Sequence, residues 1–168
     1  MLVLGIDPGV ALTGYGLIEG STDDARLVAS GVITTTSACS LPRRLLVVHD
    51  ELIRLIERYR PQVAAVEELF FGRNARTALM VGHGRGVALL ALAEAGLTVH
   101  EYKPLQVKQA VVGYGRARKE QVQEMLRLLL RLEAVPQPDD AADAVAVALC
   151  HLHSSRLSAI LAESEVQG

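Results

Sequence analysis

Three short apolar runs, separated by turn-forming residues, open the chain, and a helical repeat follows them. Residues 2–7 run Leu-Val-Leu-Gly-Ile-Asp and stop at Pro8-Gly9, because proline cannot continue a ladder and glycine permits a tight turn. Residues 14–19 resume as a second strand. After the polar turn 20–24, residues 27–35, rich in Val, Ile and Thr, form a third. Connections this short predict an antiparallel meander. The period then changes. Leu41, Leu45, Val48, Leu52, Leu55 and Tyr59 recur at helical spacing with charged residues between them, after Ser40 as N-cap and with Pro42 in the first turn.

Val63-Ala64-Ala65-Val66 is a fourth strand, closing on Glu67 and Glu68. A helix between it and the meander makes a crossover, so this strand can lie parallel to the first. Residues 69–74 read as a loop, and Asn74 can cap a helix over residues 75–95. That helix contains Gly82, Gly84 and Gly86, each costing up to about 1 kcal/mol relative to Ala. Close approach of the sheet or of a second subunit would compensate. Residues 97–102 predict a fifth strand, 103–114 a short helix and loop, and 118–133 an amphipathic helix. After Pro136-Gln137-Pro138, Asp139 or Asp140 caps a last helix over residues 141–161. The pattern predicts an α/β fold with a five-stranded mixed β-sheet flanked by helices on both faces. Residues 1–162 form a single domain, with 163–168 a frayed tail.

Composition narrows the picture. Half of the 168 residues are hydrophobic and 4% are aromatic, so the core is made of Ala, Val and Leu. No apolar run is long enough to span a bilayer, and the N-terminus lacks the basic start of a signal peptide, so no membrane partner and a cytoplasmic location are expected. Cys39 and Cys150 lack ligand or redox spacing and read as small buried hydrophobes. The net charge is only -2, but residues 103–131 carry seven basic side chains against two acids, and residues 132–168 six acids against Arg156. That asymmetry suits a basic surface beside an acidic site.

Four acids sit where such a site would form. Asp7 ends the first strand and Glu67 the fourth. Parallel neighbours end on the same edge, so both can reach one place. Asp140 and Asp143, three apart at the start of the last helix, share a face, the apolar one if Val147 packs inward. One of them could serve only as a cap at the helix dipole. Glu67 and Asp140 each stand beside a second acid, Glu68 and Asp139. Glu67 is preferred to Glu68 because it follows Ala65-Val66 directly, and Asp140 to Asp139 because it lies three before Asp143. Converging carboxylates repel unless cations bind, and with water they suit Mg²⁺ or Mn²⁺. Two such ions about 4 Å apart serve phosphodiester hydrolysis. His151 and His153 fall on different helical faces and read as surface residues, and there is no phosphate-binding G-x-x-x-x-G-K-S/T loop.

Five motifs carry a resemblance: G-I-D-P-G at residues 5–9, T-G-Y-G at 13–16, V-E-E-L-F at 66–70, Q-V-K-Q at 106–109 and D-A-A-D-A at 140–144. In this order, from Leu4 to His153, the chain resembles the RuvC family of bacterial Holliday junction resolvases, which have a ribonuclease H-like fold. The resemblance implies a homodimeric, metal-dependent endodeoxyribonuclease of DNA recombination and repair. It would nick two opposed strands of a four-way DNA junction symmetrically, and would work with the RuvA and RuvB branch-migration proteins. It also implies two divalent ions per site, held by Asp7, Glu67, Asp140 and Asp143, with Asp7 bridging both and water attacking phosphorus in line.

Lys108 and Lys119 match basic positions that the family sets near the scissile phosphate, and Phe70 matches an aromatic placed against bases at the crossover. Arg73 and Arg76, beside the Glu67 loop and at the start of a helix, are further phosphate candidates, as are Arg116 and Arg118 from the basic segment 103–131. The helix over 75–95 is the candidate dimer surface. Two other readings compete. A nucleotide-binding domain using the G-x-D-x-G turn would need a second lobe, for which 168 residues leave no room. A junction-binding module without catalysis would leave the four acids dispensable.

Overall fold

A computed structural model describes residues 1–68 and 75–166, with side chains described for 1–68 and 77–155. The elements run β1 (Leu2–Asp7), β2 (Leu12–Ser21), β3 (Asp24–Thr34), α1 (Leu41–Tyr59), β4 (Val63–Glu67), α2 (Ala75–Glu94), β5 (Thr98–Tyr102), α3 (Pro104–Val112), α4 (Lys119–Leu129) and α5 (Asp139–Val166). The strands form one sheet in the order β3-β2-β1-β4-β5. The first three pair antiparallel, whereas β4 lies parallel to β1 and β5 parallel to β4. This is the expected mixed sheet, with β1 at its centre.

Each face of the sheet is covered, which explains why β1 and β4 are apolar on both sides. On one face α1 and α2 bury Val48, Leu52, Ile56, Ala88 and Leu92 against Leu4, Ile6, Leu17 and Val66. On the other, α3, α4 and α5 bury Val107, Leu126, Val145 and Leu149 against Val3, Ile18 and Ala65. Val147 is fully buried, so α5 does turn its apolar face inward.

The strands differ in length from the sequence reading. The β2–β3 hairpin closes through Thr22-Asp23 alone, since Ser21 pairs with Asp24. Residues 20 and 24 read as turn by composition, but cross-strand pairing recruits them; Gly20 manages it at φ +124°. Helix α4 ends at Leu129, before Arg131 at positive φ, and α5 starts at Asp139 and runs to Val166. Ser40 takes the N-cap position of α1, though its side chain makes no cap bond.

One packing relationship decides where α5 begins. A Cβ on Gly14 of β2 would stand 2.0 Å from the Asp140 carbonyl oxygen, and one on Gly5 of β1 2.1 Å from that of Ala144. The helix backbone therefore rests directly on the strand backbones. No other residue type at these two positions allows that approach. In α2, Gly84 plays a similar part against the Gly9-Val10 backbone, 2.6 Å from where its Cβ would be, whereas Gly86 faces open space.

Two expectations about single residues are corrected. Cys39 is exposed, because it lies in the turn before α1 and not in a strand or a helix face; Cys150 is buried as expected. His151 is buried, not superficial. Its Nδ1 lies 2.9 Å from the Tyr102 hydroxyl and its ring against that of His100, while His153 Nδ1 donates to the Ala110 carbonyl at 2.8 Å. Helix α5 is enclosed along both of those faces by β5 and α3, which helical periodicity alone does not reveal. Among the described residues no helix is long and apolar enough to cross a membrane.

Candidate active site

The parallel register of β1 and β4 aligns Ile6 with Val66, so Asp7 and Glu67 emerge next to each other at the same edge of the sheet. On its other side Asp7 pairs with Gly14, the residue on which Asp140 rests. Three adjacent backbone segments thus deliver Asp7, Glu67 and the start of α5 to one place.

The electrostatics of these acids are coupled. Burial, then the charges of Asp143 and Asp140, push Asp7 up to about 6. Burial, then Asp7 and Asp143, push Glu67 up to about 7. The side chains of Asp7 and Glu67 act on each other by hydrogen bonding, which raises Glu67 and lowers Asp7, so Glu67 is the better proton holder of the two. Asp143 is also raised by burial, against the opposing effect of Lys119. A group of carboxyls that hold their protons near neutral pH is one that lacks compensating positive charge.

Lys119, at the first position of α4, supplies part of it. Its Nζ lies 2.9 Å from Asp143 Oδ2 and 3.3 Å from Asp139 Oδ2. Burial alone would lower Lys119, but the bonds to Asp143 and Asp139 raise it overall. Among the described residues, no three or more His, Cys, Asp or Glu converge closely enough to hold one metal ion in this arrangement. Asp143 leans on the Lys119 ammonium, and Asp7 and Glu67 interact with each other. The donor set itself, all carboxyl oxygen with negative charge left uncompensated, fits a hard divalent cation.

The doubled acids separate. Asp140 lines a groove with Asp7 and acts on it by charge. Asp139 is exposed, accepts from Gln123 Nε2 at 2.9 Å and is lowered by that bond and by Lys119. Glu67 bonds Asp7, whereas Glu68 lies past the end of β4 with its backbone N–H donating to the Tyr102 carbonyl.

Two depressions flank the acids. One, of about 430 Å³, is lined by Asp7, the 8–12 turn, Arg44, Thr77, Met80, Val81 and Asp140. The other, of about 210 Å³, lies between α3, α4 and α5 and is lined by Glu67, Lys108, Lys119 and Asp143 with apolar neighbours. Lys108 and Lys119 therefore stand together beside the acids. Arg116 and Arg118 are exposed just before α4 and make no ion pair among the described residues. Phe70 and Arg73 lie outside the described residues, and the Arg76 side chain does too.

Sequence reasoning passed over Arg85. Its Nη1 donates to the Glu67 carbonyl at 2.8 Å, and its Nη2 forms an ion pair with Glu101 on β5. It fastens the end of β4 from α2. No local pattern marks it, because its partners are 16 and 18 residues away in sequence.

A family model described as crossover junction endodeoxyribonuclease RuvC matches residues 3–151. A crossover junction endodeoxyribonuclease RuvC of Roseiflexus sp. (strain RS-1) is 59% identical over 152 residues, covering 90% of each chain. The structure of Thermus thermophilus RuvC in complex with a Holliday junction substrate superposes with a TM-score of 0.90 at 40% identity, covering 94% of this chain and 96% of that one. The yeast mitochondrial Holliday junction resolvase superposes with a TM-score of 0.64 at 17% identity over 90% of this chain and 78% of that one, a likeness of fold. The fold is the ribonuclease H-like one expected from the sequence.

Proposed function

This chain belongs to the RuvC family of crossover junction endodeoxyribonucleases, and on that premise we propose that it resolves four-way DNA junctions by metal-dependent hydrolysis of two opposed strands. The observation that carries the reading is the Asp7–Glu67 pair, on adjacent parallel strands, with Asp140 and Asp143 brought against it by α5. Asp7, Glu67, Asp140 and Asp143 would hold two divalent ions, Mg²⁺ or Mn²⁺. Bound there, such ions supply water activation and neutralise charge on the leaving oxygen.

The rest of the work falls to the chain itself. The β1–β4 ladder and the Arg85 clasp keep Asp7 and Glu67 at fixed separation, so little reorganisation is needed at the moment of reaction. Lys108 and Lys119 supply positive charge beside the acids, where a scissile phosphate would lie. Lys119 pairs with Asp143 and Asp139. Where divalent ions held by the acids compete for these carboxylates, its ammonium would be left for the phosphate. Arg73, Arg76, Arg116 and Arg118 add phosphate contacts that fix position and not sequence. Phe70 stacks on a base at the crossover, worth about 1–3 kcal/mol.

Symmetric nicking needs two sites, hence a homodimer. Leu79 and Leu90, 62% and 53% exposed, flank Gly86 on one face of α2, and we assign that face to the dimer contact. RuvA and RuvB would be its partners in the cell, which places the protein in the cytoplasm.

A labelled four-way junction and a linear duplex, incubated with Mg²⁺ or Mn²⁺ and with chelator, test the reading. Paired symmetric nicks in the junction alone, lost with chelator or in Asp7→Asn while binding persists, are the expected result. Tight binding without cutting under either metal would reduce the chain to a binding module.

A further inference from the structure

The groove on the Asp7–Asp140 side contains one cation among its described lining residues, Arg44. Its neighbourhood is unusual for a surface arginine. Arg44 lies in the first turn of α1 next to Arg43, and that turn holds no acid. Basic side chains there run against the helix dipole, a cost of about 0.3–1 kcal/mol each. A solvated amphipathic helix gains nothing from this arrangement.

The side chain is also held in place. Arg44 Nε donates to Thr35 Oγ1 at 2.9 Å, and that hydroxyl donates onward to the Val10 carbonyl at 2.5 Å, in the turn that follows Asp7. Among the described residues the two Nη nitrogens have no hydrogen-bond or ion-pair partner. A guanidinium tethered through Nε presents its remaining edge as a preset fork, the geometry that binds a phosphate oxygen pair.

We propose that Arg44 grips a backbone phosphate of the DNA strand where it runs through the Asp7–Asp140 groove, on the side of the acids opposite Lys108 and Lys119. The strand is then held at both flanks of the reacting bond, by Arg44 on one and the lysines on the other. This rests on the junction-resolving reading above. A strut between α1 and the β1–β2 turn is the competing role for Arg44, and charge is what separates the two.

Junction binding is measured in chelator for the wild type, Arg44→Ala, Arg44→Gln and Arg44→Lys, between about 50 and 200 mM salt, with thermal melting alongside. Arg44→Gln keeps a donor for Thr35 and removes the charge, so it serves if Arg44→Ala does not fold. We expect either neutral variant to bind the four-way junction about threefold to tenfold more weakly and to lower the log–log salt slope by about 0.9, the loss of one phosphate contact. Arg44→Lys restores the slope but not the full affinity. An unchanged slope in Arg44→Gln, with or without a lower melting temperature, overturns the proposal. A wild type that does not bind the junction fails the underlying reading instead.

Discussion

Asp7 and Glu67, the last residues of two neighbouring parallel strands, stand side by side at the sheet edge; burial, with the charges of Asp7 and Asp143, pushes Glu67 up to about 7, and burial, with those of Asp143 and Asp140, pushes Asp7 up to about 6. Both groups ionise less readily folded than unfolded, so the native state holds the extra protons. Their stabilising contribution is complete below about pH 4 and is lost as pH rises through 6 and 7. The metal-free protein should therefore lose on the order of 3 kcal/mol from this pair between pH 5 and pH 8. Thermal melts in chelator at both pH values check it. Asp7→Asn should remove its own share of the difference and the part that its charge adds to Glu67, leaving the part due to burial of Glu67, and equal pH dependence in both proteins would contradict the coupling. Saturating Mg²⁺ at pH 8 should raise the wild-type melting temperature and leave that of Asp7→Asn nearly unmoved.

Lys119 competes with any cation for Asp143. The pair is partly exposed and so contributes no more than about 1 kcal/mol. Lys119→Met should tighten Mn²⁺ binding by roughly threefold to fivefold, by calorimetric titration, since the competitor is gone. Cutting at saturating Mn²⁺ should nonetheless fall by about tenfold or more, because a charge beside the phosphate is lost. Undiminished single-turnover cutting would confine Lys119 to a structural role.

The doubled aspartates give an internal control. Asp140 lines the groove with Asp7, whereas Asp139 is exposed and bonds Gln123. Asp140→Asn should slow junction cutting by at least about a hundredfold, a loss of several kcal/mol of transition-state stabilisation. Asp139→Asn should stay within about threefold of wild type, as expected for a surface carboxylate. The reverse order would move the site by one residue along α5.

Gly14→Ala inserts a methyl group against the Asp140 carbonyl, a backbone atom with no rotamer to yield. Overpacking of this kind costs about 1–3 kcal/mol. Activity should fall further than that loss of stability explains, because the displaced segment carries Asp140 and Asp143. Denaturant titration with cutting assays at a temperature where the variant is fully folded separates the two effects. A folded Gly14→Ala with normal cutting would mean that the acids tolerate a shift of the helix.

The backbone plan was legible because its signals are local. The Pro8-Gly9 stop, the period change at Leu41 and the acids at strand ends each lie within a few residues. Asp7 and Glu67 could be named because strand order places ends of parallel neighbours together, and Asp140 and Asp143 because a spacing of three sets them on one helix face. What stayed hidden depends on contacts across the chain. Arg85 reaches Glu67 from α2, and Arg44 is tethered by Thr35. Each reads as an ordinary charge on a helix face until the partner is in view. The resemblance names Lys119, but its reach from α4 to Asp143 was not legible. His151 looked superficial because nothing in its own helix announces Tyr102 and His100.

The seat of α5 on Gly5 and Gly14 sets terms for how this chain can drift. Where main chain meets main chain, an added methyl on either partner has nowhere to go, and a compensating change must come from the facing residue, here Ala144, Ala148 or the Asp140 backbone itself. Substitutions along this seam are therefore admissible only in small-for-small pairs. The outer surfaces of α1 and α4 beyond their first turns carry no such restriction. Sequence variation among working versions of the molecule should accumulate there and leave the seam nearly untouched, so that chemistry at the sheet edge is guarded by Gly5 and Gly14, which have no side chain to take part in it.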